Sequence, residues 1–96
     1  MKIWLTTHIG EKINKSFVYT PETYNDSQIA EYVKEICNEL DEPTPIFLKK
    51  HYQHIKEFNN TQFTARDFVE SIYFDSMNVQ VYDENSKKKK DNPNYY

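Results

Sequence analysis

Residues 29–40 have the sequence IAEYVKEICNEL, which has a clear helical pattern. At 100° per residue, Ile29, Val33, Ile36 and Leu40 fall within about 60° of one another, which is the periodicity of an amphipathic helix. An apolar stripe of this kind needs a second apolar surface to pack against. We therefore expect the flanking segments to supply a sheet.

The N-terminal segments are typical of a β-hairpin. Residues 2–8 and 13–20 are rich in β-branched and aromatic side chains, and residues 10–12 separate them. Gly10 is the only glycine in the chain. Because glycine adopts positive φ angles at little cost, its position predicts a tight turn between two antiparallel strands.

The boundaries of the central helix are also indicated. Asn25, Asp26 and Ser27 are each suited to cap its start, since their side chains accept hydrogen bonds from free backbone N–H groups. Residues 41–45, DEPTP, are expected to end it. Each proline lacks an N–H group and disfavours helical geometry in the residue before it.

The C-terminal half predicts a shorter helix and a strand. The apolar residues of segment 49–58 have helical spacing, which predicts the shorter helix. Thr64 and Asp67 have a spacing close to that of a capping box, which predicts one helical turn through Phe68. Apolar and polar residues alternate over residues 77–81, as in a half-buried strand.

These elements predict an α+β fold. It comprises an N-terminal β-hairpin, a long amphipathic helix, a shorter helical segment and a C-terminal strand, which form a small antiparallel sheet with helices on one face. A chain of 96 residues supports a single core. We expect one compact domain over residues 1–84 and a flexible Lys-rich tail over residues 85–96, because the tail has no core-facing periodicity.

Composition excludes several classes of function. With Cys37 as the only cysteine and Gly10 as the only glycine, the chain forms neither an intrachain disulfide nor a Gly-rich phosphate-binding loop. No catalytic motif, metal site or cofactor site is predicted, so we expect a protein that is not an enzyme. The apolar stretch at the start is short and interrupted, and eighteen apolar residues nowhere occur in a row, so we expect no signal peptide, no membrane span and a cytoplasmic location.

The charge distribution bears on the partner. Residues 1–86 carry eight basic and fourteen acidic side chains. Direct nucleic-acid binding needs clusters of Lys and Arg, so this acidic balance argues against it. We expect a protein partner with a basic surface instead.

The candidate contact surface is the outer side of the central helix. Glu31, Glu35, Glu39 and Glu42 fall within about 80° of one another, and only Lys34 is near enough to offset them. Like charges four residues apart destabilise a helix, so we interpret this stripe as a partner-binding face. A partner that binds nucleic acid would be a special case, with the carboxylates mimicking phosphates and the protein acting as its inhibitor. An ordinary solvated face is the alternative.

A second hypothesis involves metal. His51 and His54 are three residues apart on the shorter helix, a spacing that allows both to bind one metal ion, with His8 or Cys37 as a third ligand. A small metal-binding protein or metal-dependent enzyme is therefore the alternative function. A partly exposed histidine pair without metal is the competing interpretation.

The order of several short motifs resembles a known group of proteins. The motifs are Met1-Lys2-Ile3-Trp4, Glu35-Ile36-Cys37, Leu40-Asp41, Pro43, Pro45-Ile46, Leu48, Phe58, Thr61, Phe63, Asp67-Phe68-Val69-Glu70 and Phe74-Asp75. Over most of residues 1–84 this pattern resembles a group of short, uncharacterised proteins from clostridia and related Firmicutes. The resemblance implies a bacterial, cytoplasmic, single-domain protein and supplies no active-site residues.

Overall fold

The computed structural model describes residues 1–83. The elements occur in the order β1 (Lys2–Ile9), β2 (Lys12–Tyr19), α1 (Ile29–Leu40), α2 (Lys49–Phe58), β3 (Asn60–Thr64) and β4 (Ser76–Tyr82). Short 3-10 turns cover Asp26–Gln28 and Ala65–Asp67. The predicted α+β class, the hairpin, both helices and the C-terminal strand are confirmed. The predicted tail, residues 85–96, lies outside the described residues.

The strands form one antiparallel four-stranded sheet in the order β2-β1-β4-β3. The first two strands are joined by a tight turn in which Gly10 has a φ of +62°, as its lack of a side chain allows. Asp75, which precedes β4, accepts a hydrogen bond from the Gly10 N–H at 2.6 Å. The end of the hairpin is thereby tied to the last strand.

One face of the sheet carries the core. Leu5, Val79 and Met77 lie on it and are fully buried, and Phe63 of β3 is the largest fully buried side chain. The two helices cover this face, with α1 over β1 and β2 and α2 over β3. The apolar stripe of α1 supplies Ile29, Val33, Ile36 and Cys37 to the same core. Replacing a buried phenylalanine such as Phe63 with alanine typically lowers the free energy of unfolding by about 3–5 kcal/mol.

The ends of α1 show why the helix occupies these residues. The Asn25 side chain accepts the Ser27 N–H at 3.0 Å and begins the 3-10 turn that leads into α1. At the other end, Asp41 has a left-handed φ of +58°. The Asp41 N–H donates to Asn38 O and the next N–H donates to Cys37 O, the paired bonds of a Schellman motif. The chain therefore reverses direction directly after Leu40, before the prolines.

The opposite face of the sheet has no helix over it within residues 1–83. Pairing registers place Trp4, Thr6, Ser16 and Val18 together on this face, across β1 and β2. Trp4 and Val18 are a directly opposed cross-strand pair, and Val18 is 47% exposed. The open face therefore mixes hydroxyl groups with a few partly exposed apolar side chains.

Candidate functional site

Three of the four predicted carboxylates share the exposed side of α1. Glu31, Glu35 and Glu39 are all exposed, and each is four residues from the next, so they lie along one side of the helix. Lys34 is the one basic residue of α1 and is also exposed. The side of α1 that bears these three carboxylates, called the acidic face below, is net negative.

Glu42 does not belong to the acidic face. A helical wheel places it there only if the helix continues, but α1 ends at Leu40 and the left-handed Asp41 reverses the chain. The Glu42 side chain turns inward and is only 2% exposed. The predicted placement of Glu42 on the exposed side of α1 is therefore wrong.

Glu42 instead lies at the centre of a polar cluster in which its own carboxylate is buried and the Tyr73 side chain is exposed. Its Oε2 lies 2.7 Å from Lys15 Nζ and accepts a 2.5 Å hydrogen bond from the Tyr73 hydroxyl. Asn14 donates to the Tyr73 oxygen at 3.0 Å, and Lys15 also donates to the Leu40 carbonyl. The hydrogen bond with Glu42 raises the pKa of the Lys15 ammonium. These groups satisfy one another, so the cluster joins the loop after α1 to β2 and to the segment before β4.

Sequence reasoning missed this cluster, although a signal was present. Lys15 alternates with Phe17 and Tyr19 along β2, so all three side chains share the face that packs toward the helices. A lysine in such a position usually has an acidic partner, because an unpaired charge is rarely buried.

A groove lies between α1 and β2, which is an edge strand of the sheet. Its volume is about 320 Å³, and its lining residues are Phe17 and Tyr19 of the strand with Glu35, Asn38 and Glu39 of the helix. The Tyr19 hydroxyl donates to Glu35 Oε1 at 3.2 Å. Desolvation and this hydrogen bond raise the pKa of Tyr19. The groove therefore has an aromatic floor and two carboxylates of the acidic face at its rim.

The two histidines of the metal hypothesis have other contacts. His51 is fully buried, its Nδ1 accepts the Leu48 N–H at 2.8 Å, and its Nε2 lies 3.8 Å from Asp67 Oδ2. His54 Nδ1 is 3.2 Å from the Thr61 hydroxyl. Burial lowers the pKa of His51. Within residues 1–83, no group of three His, Cys, Asp or Glu side chains is arranged to hold a metal ion.

Cys37 lies on the buried side of α1, where its side chain is part of the core. Burial raises the pKa of its thiol to about 12, partly offset by a hydrogen bond with Thr44, and the charge of Glu42 raises it further. A thiol with so high a pKa is almost entirely protonated at neutral pH and is a poor nucleophile.

Comparisons with protein-family models, with curated proteins and with solved structures found no match. In the described part of the chain, neither helix has the length and apolar character needed to cross a bilayer. The acidic face and the groove beside it are therefore the features of the molecule that bear on its function.

Proposed function

We propose that this protein is a non-enzymatic binding protein that uses Glu31, Glu35 and Glu39 to contact a basic surface of a protein partner. The observation that carries the proposal is the exposure of these three carboxylates along one side of α1. No lysine or arginine within residues 1–83 forms an ion pair with any of them. Their charges are therefore available to a partner.

The three carboxylates of the acidic face destabilise α1 in the free protein and would be stabilised by a basic partner. Carboxylates at i, i+4 spacing repel one another, by about 0.2–0.5 kcal/mol per pair in isolated helices. A basic partner would relieve this repulsion and gain attraction to all three charges. Electrostatic complementarity of this kind mainly raises association rates and selects partners by charge, and it weakens as salt is added.

Charge reversal tests the proposal. The triple variant Glu31→Lys, Glu35→Lys and Glu39→Lys should lose capture of the partner from an extract of the source cells, and the dissociation constant of the identified, purified partner should rise at least tenfold. A control with the same change in net charge replaces Glu11, Glu57 and Glu70 with lysine, since all three are exposed on other segments. The control should bind as the wild type does, and wild-type affinity should fall with added salt.

Equal affinity of the triple variant and the wild type would contradict the proposed function. Circular dichroism of each variant establishes that the fold is retained. A partner that itself binds nucleic acid permits one further measurement. If the protein is an inhibitor, the wild type displaces the nucleic acid from that partner and the triple variant does not.

A further inference from the structure

Within residues 1–83, the outer edge of β2 pairs with no other strand, and it lies next to the acidic face. Among residues 1–83 the sheet has two edges, the eight-residue β2 and the five-residue β3. An edge strand presents free N–H and C=O groups that can pair with another extended chain. The edge at β2 lies on the side of the sheet that α1 covers, whereas β3 lies beneath α2.

The side chains that line the groove beside β2 determine which side chains a paired segment would need. Phe17 and Tyr19 form the floor of the groove, and Glu35 and Glu39 lie at its rim. Aromatic faces together with carboxylates favour a Lys ammonium or an Arg guanidinium, which gains cation–π and ionic attraction at once. Apolar or acidic side chains gain neither.

The spacing of the groove matches an extended chain. Four residues of helix separate Glu35 from Glu39 by a rise of about 6 Å, since each helical residue rises about 1.5 Å. Two residues of a strand span about 6.8 Å, and they place both side chains on the same face. Basic residues at alternate positions of an added strand would therefore each meet one carboxylate.

We infer that the groove binds an extended segment of the partner that pairs with β2 as a fifth strand and carries Lys or Arg at alternate positions on the side facing α1. This inference rests on the proposed function and gives its binding mode. Backbone hydrogen bonds to the strand edge supply affinity, and the alternate side chains supply specificity. The intervening residues face Ser16 and Val18 on the open side of the sheet, which favours small or β-branched side chains.

Two synthetic peptides of identical composition test this mode on the full chain. Thr-Lys-Val-Lys-Val-Lys-Thr has alternating lysines, and Thr-Val-Lys-Lys-Lys-Val-Thr has the same charge without alternation; both are acetylated and amidated. Calorimetric titration should show at least tenfold tighter binding of the alternating peptide. Equal binding of the two would mean that charge alone attracts them, and it would overturn the inference.

Protein variants locate the binding site. The double variant Glu35→Gln and Glu39→Gln should weaken binding of the alternating peptide at least tenfold, while the control Glu11→Gln with Glu70→Gln should leave it unchanged. Hydrogen exchange should show new protection of backbone amides in residues 12–19 and none in residues 60–64. Protection confined to residues 60–64, or absent from both strands, would contradict pairing at β2.

N-methylation of the alternating peptide tests backbone pairing directly. Only one set of alternate N–H groups can point toward β2. Methylating the lysine nitrogens in one peptide and the valine nitrogens in another should abolish binding of one isomer and spare the other. Equal loss or equal retention in both isomers would rule out strand addition.

Two other occupants of the groove would be distinguishable. A dimer in sedimentation analysis, with residues 12–19 protected before any peptide is added, would identify a second copy and overturn the inference. A tenfold gain in peptide affinity on replacing Lys87–Lys90 with glutamine would identify the chain's own C-terminal segment and also overturn it. If capture of the basic partner depends on the acidic face but the two peptides bind equally, strand addition fails and the proposed function stands.

Discussion

Lys15 Nζ lies 2.7 Å from Glu42 Oε2, and this pair connects the inner face of β2 to the loop that follows α1. The two side chains differ in their access to water, since Lys15 is 37% exposed and Glu42 only 2%. The carboxylate has therefore lost its hydration, and it depends on Lys15 and the Tyr73 hydroxyl for compensation. A carboxylate predicted from the sequence to bind a partner is instead part of the packing.

Replacing Glu42 with glutamine should therefore destabilise the protein. The change removes the charge that the Lys15 ammonium and the Tyr73 hydroxyl contact, and we expect a loss of about 1–2 kcal/mol, limited by the exposure of Lys15 to solvent. Urea denaturation followed by circular dichroism measures it. Glu39→Gln is the matched control on the exposed acidic face and should change the free energy of unfolding by less than about 0.5 kcal/mol. Equal effects of the two substitutions would contradict the buried role of Glu42.

The sequence predicts α1 well because its apolar residues repeat with the helical period and all of Ile29, Val33 and Ile36 are buried. The hairpin is equally predictable from its single glycine. In contrast, the sequence does not predict β3, because only Thr61 and Phe63 of its five residues are buried and the other three are polar, as in a loop. Its identity as a strand depends on pairing with β4, which is a tertiary property.

The candidate site was predictable to the same limited extent. Glu31, Glu35 and Glu39 follow from helical periodicity, which is a local signal. The groove requires Phe17 and Tyr19 of β2 to lie beside α1. No local sequence pattern indicates that these two elements are neighbours. Helical periodicity places Glu42 wrongly because Asp41 adopts a left-handed conformation that ends the helix. Residues other than glycine adopt this conformation only occasionally, so the sequence does not indicate it.

Replacing Asp41 with glycine should stabilise the protein. Asp41 ends α1 with a φ of +58°. This conformation has a higher free energy for a residue with a Cβ atom than for glycine. We expect a gain of about 0.5–1 kcal/mol, measured as a higher midpoint of urea denaturation. Asp41→Val, which adds a β-branched side chain at the same φ, should destabilise. A glycine variant less stable than the wild type would contradict this prediction. It would show that the Asp41 side chain stabilises the protein by more than the left-handed backbone conformation destabilises it.

Cys37 should be unreactive in the folded protein. Because burial raises the pKa of its thiol to about 12, the thiolate needed for attack is scarce and also inaccessible. A chromogenic disulfide reagent at pH 8 should label the native protein at least a hundredfold more slowly than the protein in denaturing urea. The exposed neighbour gives a matched control, since Asn38→Cys in a Cys37→Ser background should react rapidly when folded. Rapid labelling of native wild type would contradict the burial of this thiol.

The buried His51 should make stability depend on pH in the range where histidine titrates. Burial lowers its pKa in the folded state below the ordinary value of 6.5, although the charge of Asp67 opposes this shift. As the pH falls through about 6.5, the unfolded chain binds a proton that the folded chain does not. The free energy of unfolding should therefore be highest above pH 6.5 and decrease below it, by up to about 1.4 kcal/mol per pH unit from this group.

His51→Gln tests this dependence, because glutamine does not titrate and its side-chain oxygen can still accept the Leu48 N–H at the start of α2. Denaturation curves between pH 5.5 and 7.5 should show a shallower pH dependence for this variant, even if its stability at pH 7.5 is lower. His8→Gln is the control, because the half-buried His8 lies on β1 and its replacement should leave the contribution of His51 in place. If His51→Gln retained the full wild-type slope, the neutral state of His51 would not be the source of the acid sensitivity.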